Sequence, residues 1–187
     1  MTKCLLDIGT NSLGGYEKLV PILGIDDSWV KIFVEPNPEC YEYIYHRMNG
    51  IPNSRLLEVA IAPENKEYEL LTRDDMKGDS AATIMGSKFI NDSIGEVNQK
   101  YPSYLSFKVQ GMKIDDILKS ITEDEIYLKL DCEGAEFSVL ENFPVEYLHK
   151  IMKIFVEFHA HDDIARERRD KIIQHYASCG IELLNWD

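Results

Sequence analysis

Four apolar, β-branched-rich runs each carry an ionisable side chain at their carboxyl end. Cys4 to Ile8 brings Asp7, Val30 to Val34 is followed by Glu35, Ile126 to Leu130 by Asp131, and Ile151 to Phe158 by His159. Between them lie stretches with helical character: Tyr16 to Leu23, Pro38 to Met48, Ala135 to Asn142 and Ala165 to Ser178. Strands that alternate with helices are joined by right-handed crossovers and pair in parallel. The expected architecture is therefore α/β, a doubly wound and mostly parallel sheet. In such sheets a ligand sits beyond the carboxyl ends of the strands, which is where this sequence concentrates its charge.

The remaining pattern fits the same frame. Ser54 to Ala60 reads as a third strand, Tyr68 to Thr72 as a fourth, antiparallel one, Tyr104 to Met112 as another, and Ile181 to Leu184 as the last. Ile114 to Ser120 reads as a short helix. Pro38 suits the first turn of its helix, and Asn49-Gly50 stops it. Residues 73–112 interrupt the alternation and are expected to form a lid-like insertion in one domain spanning 1–187. The stretch Arg73 to Ser103, rich in Asp, Ser, Gly and Asn, is the expected acceptor cover, with Ser80, Ala81 and Thr83 near the pocket, because a long unpatterned segment in a compact domain is usually functional.

A chain of 187 residues can bury roughly 70% of its unfolded surface, so it needs no disulfides. Formal net charge is −13, which argues against a nucleic-acid footprint and against adhesion to an anionic membrane. No apolar run approaches a membrane span, and no signal-peptide core precedes Asp7. Cys4, Cys40, Cys132 and Cys179 form no CxxC pair; Cys4 and Cys132 fall within strand-like runs, as small hydrophobes. A cytoplasmic, reducing compartment is expected.

The turn after the first strand reads Gly9-Thr10-Asn11-Ser12-Leu13-Gly14. A dinucleotide turn has glycine at the middle position, so that backbone can approach a pyrophosphate. Asparagine tolerates the left-handed conformation but adds bulk, so the turn keeps its shape and loses its pyrophosphate seat. There is no P-loop. Glu35, at the end of the second strand, suits both hydroxyls of an adenosine ribose. Asp7 and Asp131 add negative charge, which repels phosphate and attracts a sulfonium. S-adenosyl-L-methionine meets all three conditions. Taken singly, each feature has a plainer reading: the glycines shape a turn, Asp7 caps a helix, and Glu35 is a solvated strand end.

The stretch Ile126 to Phe143, IYLKLDCEGAEFSVLENF, is the most distinctive. Its Lys129 to Glu136 segment resembles the K-[IL]-D-x-E-G-x-E motif of the FkbM family of S-adenosylmethionine-dependent methyltransferases. Other pieces resemble that family in the right order: LLDIGTNSLGG, FVEPNPECYEYI, EVAIAPENKEYEL, KIDDIL and IFVEFH. The resemblance implies a Rossmann-like class I methyltransferase fold, S-adenosyl-L-methionine as cofactor, and O-methylation of a sugar, glycan or other small hydroxylated metabolite. The candidate cofactor contacts are Asp7, Gly9, Thr10, Asn11, Glu35, Pro36, Ala60 and Asp131, and the candidate catalytic residues are Asp131, Glu133 and His159. The chain departs from the pattern in its first turn, in starting directly at the first strand, and in stopping at Asp187, where the fold normally adds one more antiparallel strand.

The residues support this reading on their own terms. Lys129 alternates onto one face of a central strand, is expected to be buried, and needs a carboxylate partner. Glu133 and Glu136 open a helix, where carboxylates also favour the dipole without any catalysis. His159 is expected next to Asp131, as a neutral imidazole able to take a proton or as an ordinary polar terminus. No metal is assigned, the run His159, His161, Asp162, Asp163 being a weak ligand set. Two rival functions stay open: an NAD- or nucleotide-sugar-dependent oxidoreductase, against which Asn11 speaks, and a methyltransferase-like binding module without turnover.

Overall fold

The computed structural model describes residues 1–73, 82–84, 104–160 and 162–186. Among these, six strands form a central sheet in the order β10-β9-β8-β1-β2-β3, every neighbouring pair parallel. The strands are β1 (Lys3–Ile8), β2 (Val30–Val34), β3 (Ser54–Leu57), β8 (Glu125–Leu130), β9 (Ile151–Val156) and β10 (Glu182–Asn185). A second sheet pairs β4 (Val59–Ile61), β7 (Tyr104–Met112), β5 (Glu67–Arg73) and β6 (Thr83–Ile84) in that order. The helices are α1 (Gly14–Leu23), α2 (Pro38–Met48), α3 (Ile114–Lys119), α4 (Glu136–Glu141) and α5 (Asp163–Ser178), with a 3-10 turn over Val145–Lys150.

Strand alternation divides the core. Cys4, Leu6 and Ile8 of β1, with Ile126, Leu128 and Leu130 of β8, join α3, α4 and α5 in one cluster. Leu5 lies on the other face with Leu19, Ile25, Trp29, Phe155 and Trp186. Asp7 and Lys129 share that second face and lie opposite each other in the parallel register. A sheet buried on both faces reads as a continuous apolar run, which makes these two charges conspicuous.

From β1 the chain winds outward through β2 and β3, then returns to the other side of β1 for β8, β9 and β10. The order reverses between β1 and β8, so the crevice of this sheet lies beyond their carboxyl ends. The expected architecture is thus observed, and Tyr68 to Thr72 does lie in an antiparallel strand, β5, paired with β7.

Four local readings need correction. The run Ser54 to Ala60 is two strands in two sheets: it breaks at exposed Glu58, and Val59–Ile61 turns away to pair with β7, burying all three side chains. β9 ends at Val156, two residues early, so Glu157 and His159 lie on the connection that follows. Cys132 lies in a turn, because β8 ends at Leu130 and the backbone adopts positive φ at Glu133 (51°) and Gly134 (100°). Asp7 caps no helix: α1 begins after Leu13, which itself has φ of 64°. Within residues 73–112, the described strand residues are Arg73 at the end of β5 and those of β6 and β7, all in the second sheet; Ser80, Ala81 and His161 lie outside the described residues.

All four cysteines are free, Cys4 and Cys40 being buried. Among the described residues no helix is long and apolar enough to cross a membrane.

Candidate functional site

The site is organised around a buried lysine. Lys129 Nζ lies 3.1 Å from Asp7 Oδ1 and 3.4 Å from Asp131 Oδ2, and donates to the Gly9 carbonyl at 3.0 Å. The expectation that Lys129 would be buried and carboxylate-paired is met. Burial works against its charge, but Asp7 and Asp131 more than offset this and raise its pKa above the ordinary lysine value. Thr10 Oγ1 donates to the other Asp7 oxygen at 2.9 Å. Asp7 and Thr10 are buried, so their side chains hold the turn and do not face solvent.

Two glycines let the β1 turn close over this lysine. Gly9 has φ of 75°, and a Cβ there would lie 1.6 Å from the Asp131 carbonyl oxygen. A Cβ on Gly15 would meet Lys129 Cε at 2.6 Å. The middle of the turn behaves as its residue type predicts: Asn11 takes φ of 45°, a left-handed conformation open to asparagine.

Glu35 is 5% exposed. Its Oε2 accepts from the Asn11 backbone N–H at 2.8 Å and its Oε1 from the Asn37 N–H at 2.9 Å. The end of β2 is thus tied directly to the glycine turn. Burial pushes the Glu35 carboxyl up to about 7, although the two backbone donors and Lys129 favour its charged form. Pro36 follows it, half-buried, and Pro38 opens α2 behind an Asn37 cap whose side chain accepts from Glu39 N. Ala60 stands apart from this group, its side chain packed with Ala62, Tyr68, Leu70 and Val109 in the core of the second sheet.

On the other side of the crevice, His159 reaches Glu133 and Asp131. One ligand atom from each of the three lies within 4.8 Å of the other two. His159 Nε2 is 3.3 Å from Glu133 Oε2. Its Nδ1 lies 3.1 Å from Glu136 Oε1. Glu136 is fully buried and also accepts from the backbone N–H groups of Cys132 (2.7 Å) and Gly134 (2.9 Å). Glu136 therefore fixes both the turn after β8 and the ring of His159. In sequence, Glu136 reads as a carboxylate favoured by the helix dipole or as a catalytic group; the signal for its positioning role is its place two residues after Gly134, within reach of the turn.

These contacts set the protonation of the cluster. Burial opposes a charged His159 ring, but the hydrogen bond to Glu136 and the charges of Glu136, Glu133 and Glu157 outweigh it and raise its pKa to about 9. Glu133 is pushed up to about 7 by burial, against the pull of His159 and with the help of neighbouring carboxylates. The surroundings of the ring thus favour its charged form, where the sequence suggested a neutral imidazole.

Among the described residues, two cavities flank the site. One, about 340 Å³, is lined by Ile61, Ala62, Ile84, Ile114, Ala135 and Val139. The other, about 590 Å³, lies between the β1 turn and α2, against Asn11, Ser12, Cys40, Tyr43 and His46. Both are within the size range of small-molecule sites.

Comparison with curated proteins and with solved structures found no match. A family model did match, the methyltransferase FkbM domain, over residues 7–183. That span runs from Asp7 through the Lys129 to Glu136 turn to the last strand, so the chain belongs to the FkbM family of methyltransferases.

Proposed function

We propose that this methyltransferase uses S-adenosyl-L-methionine to methylate a hydroxyl oxygen of a sugar, glycan or other small hydroxylated metabolite. The observation that carries the reading is the Glu35 carboxylate locked onto the backbone of the β1 turn at the switch point of the sheet. Each of its oxygens takes one backbone N–H and keeps capacity for a second donor, which suits a pair of ribose hydroxyls. A pyrophosphate would meet Asn11 at the middle of the turn and the part-exposed carboxylate of Asp131 nearby, so the residues fit a phosphate-free, cationic donor.

In this reading Gly9, Thr10 and Asn11 offer the turn to the donor, Pro36 flanks its adenosine, and Asp131, 28% exposed, faces its positive end. Asp7 acts through Lys129 and Thr10. Ala60 contributes through its packing in the second sheet. The cavity beside Ala135 and Val139 takes the non-reacting part of the acceptor. The described strands β6 and β7 belong to the same single domain. A cytoplasmic, reducing setting suits four free thiols.

Once bound, the sulfonium would supply an electrophilic methyl group, with the sulfur–carbon electrons left on sulfur as the acceptor oxygen–carbon bond forms. The protein contributes alignment and removal of water. The hydroxyl proton passes to the Glu133 carboxylate, with His159 holding that carboxylate in place.

Calorimetry with S-adenosylhomocysteine tests the donor half. Wild-type chain should bind it, Glu35→Gln should bind it 10- to 100-fold more weakly, and NAD should not bind. Absence of binding, or equal affinity in Glu35→Gln, refutes the assignment. A screen of hydroxylated acceptors with methyl-labelled donor tests the acceptor half, and binding of donor without turnover on any of them would favour a binding module.

A further inference from the structure

We propose that Asp131, Glu133 and His159 form a divalent-cation site at the acceptor end of this centre, with Mn²⁺ as the ion its donor set suits. The inference rests on the functional reading above and adds a second cofactor to it.

The first support is geometric. Three ligand atoms, one from each residue, lie within 4.8 Å of one another, and Glu133 Oε2 and His159 Nε2 are 3.3 Å apart. An ion about 2.1 Å from each ligand places its neighbouring ligands about 3 Å apart and its opposite ligands just over 4 Å apart. The trio can therefore close on one side of an ion with small rotations. Two carboxylates and one imidazole combine the hard oxygen ligands of Mg²⁺ and Mn²⁺ with the nitrogen ligand of later metals.

The second support lies behind the ring. A metal-binding histidine almost always gives its other N–H to a carboxylate or carbonyl, which fixes its tautomer and aims the remaining lone pair. His159 Nδ1 is 3.1 Å from Glu136, a fully buried carboxylate that is itself held by the N–H groups of Cys132 and Gly134. That pairing turns Nε2 toward Glu133. Lys129 likewise anchors Asp131 from the protein side.

The third support is access. Asp131, Glu133 and His159 are 28%, 27% and 18% exposed, so the open side of the trio faces the crevice where the acceptor enters. An ion held there would act as a Lewis acid on the acceptor hydroxyl. Its two positive charges balance the two ligating carboxylates.

Electron paramagnetic resonance of a Mn²⁺ titration tests this on the whole chain, without donor or acceptor. The expected result is one Mn²⁺ per chain, bound at least tenfold more weakly by Glu133→Gln and by His159→Asn. Glu136→Gln, a positioning change, should weaken it 10- to 100-fold while leaving the ligands in place. Circular dichroism checks that each variant is folded; if Glu136→Gln is not, the change at half-exposed Glu133 decides. Weak, multiple binding on the acidic surface that is equal in wild type and variants overturns the proposal. Binding of S-adenosylhomocysteine without a Mn²⁺ site overturns it while sparing the methyl-donor reading. A Mn²⁺ site without S-adenosylhomocysteine binding supports it and removes that reading instead.

Discussion

Replacing Lys129 by methionine should be among the most damaging single changes available to this chain. The ammonium is 3.1 Å from Asp7 and 3.4 Å from Asp131, with side-chain exposures of 2% for the lysine and 0% for Asp7. At an effective dielectric of roughly 20, the gross attraction at those separations is about 5 kcal/mol for each pair. Most of that is offset by the desolvation of the three charges. What methionine leaves behind is a fully buried Asp7 carboxylate whose remaining donor is Thr10, with Asp131 able to turn to water. Removing one partner of a buried pair costs about 3–5 kcal/mol, and that is the expected loss, read by urea denaturation followed by circular dichroism with an unchanged m-value. The companion variant is Asp7→Asn, which keeps the Thr10 hydrogen bond and removes the charge. In the double variant the orphaned carboxylate is gone, so the combined loss should fall short of the sum of the single losses by about 2 kcal/mol or more. A Lys129→Met loss below about 1 kcal/mol, or losses that simply add, would show that the ion cluster is not what holds the β1 and β8 ends together.

Further outcomes follow from the turn and from Glu35. Gly9→Ala forces a Cβ onto the Asp131 carbonyl and should cost on the order of 4 kcal/mol or prevent folding; Gly14→Ala, whose Cβ meets Ser12 Oγ at an ordinary 3.7 Å, should stay within about 1 kcal/mol of wild type, and equal losses would refute the reading of the turn. Glu35 keeps its proton to about 7 in the fold but loses it near 4.5 when unfolded, so unfolding releases a proton in that window and stability falls as pH rises through it. Summed over the window this is about 3 kcal/mol, visible as a difference in slope between wild type and Glu35→Gln; parallel profiles would refute it. Because ribose hydroxyls donate to the charged form, S-adenosylhomocysteine affinity should rise from pH 6 to 8 in wild type and stay flat in Glu35→Gln. Arg168 grips Glu141 with two hydrogen bonds of 2.9 and 2.8 Å, but on the surface, so Arg168→Ala should cost no more than about 1 kcal/mol in thermal unfolding.

The sequence by itself determined the alternation of buried strands and helices, because the apolar periodicity of each segment is a local property. It also determined that acids stand at strand ends, that Asn11 suits a left-handed turn, and that Lys129, on a strand covered on both faces, must find a carboxylate. Only the tertiary structure decided which one. Asp7 is brought opposite Lys129 by the parallel register of β1 and β8, a pairing of segments far apart in the chain that no local pattern encodes. The same holds for Gly9 beneath the Asp131 carbonyl, for Glu136 behind the His159 ring, and for the parting of Val59–Ile61 from Ser54–Leu57 into separate sheets. Periodicity fixes which face a side chain takes; the charge a histidine carries, and the partner a buried ion finds, depend on neighbours that only the folded sheet supplies.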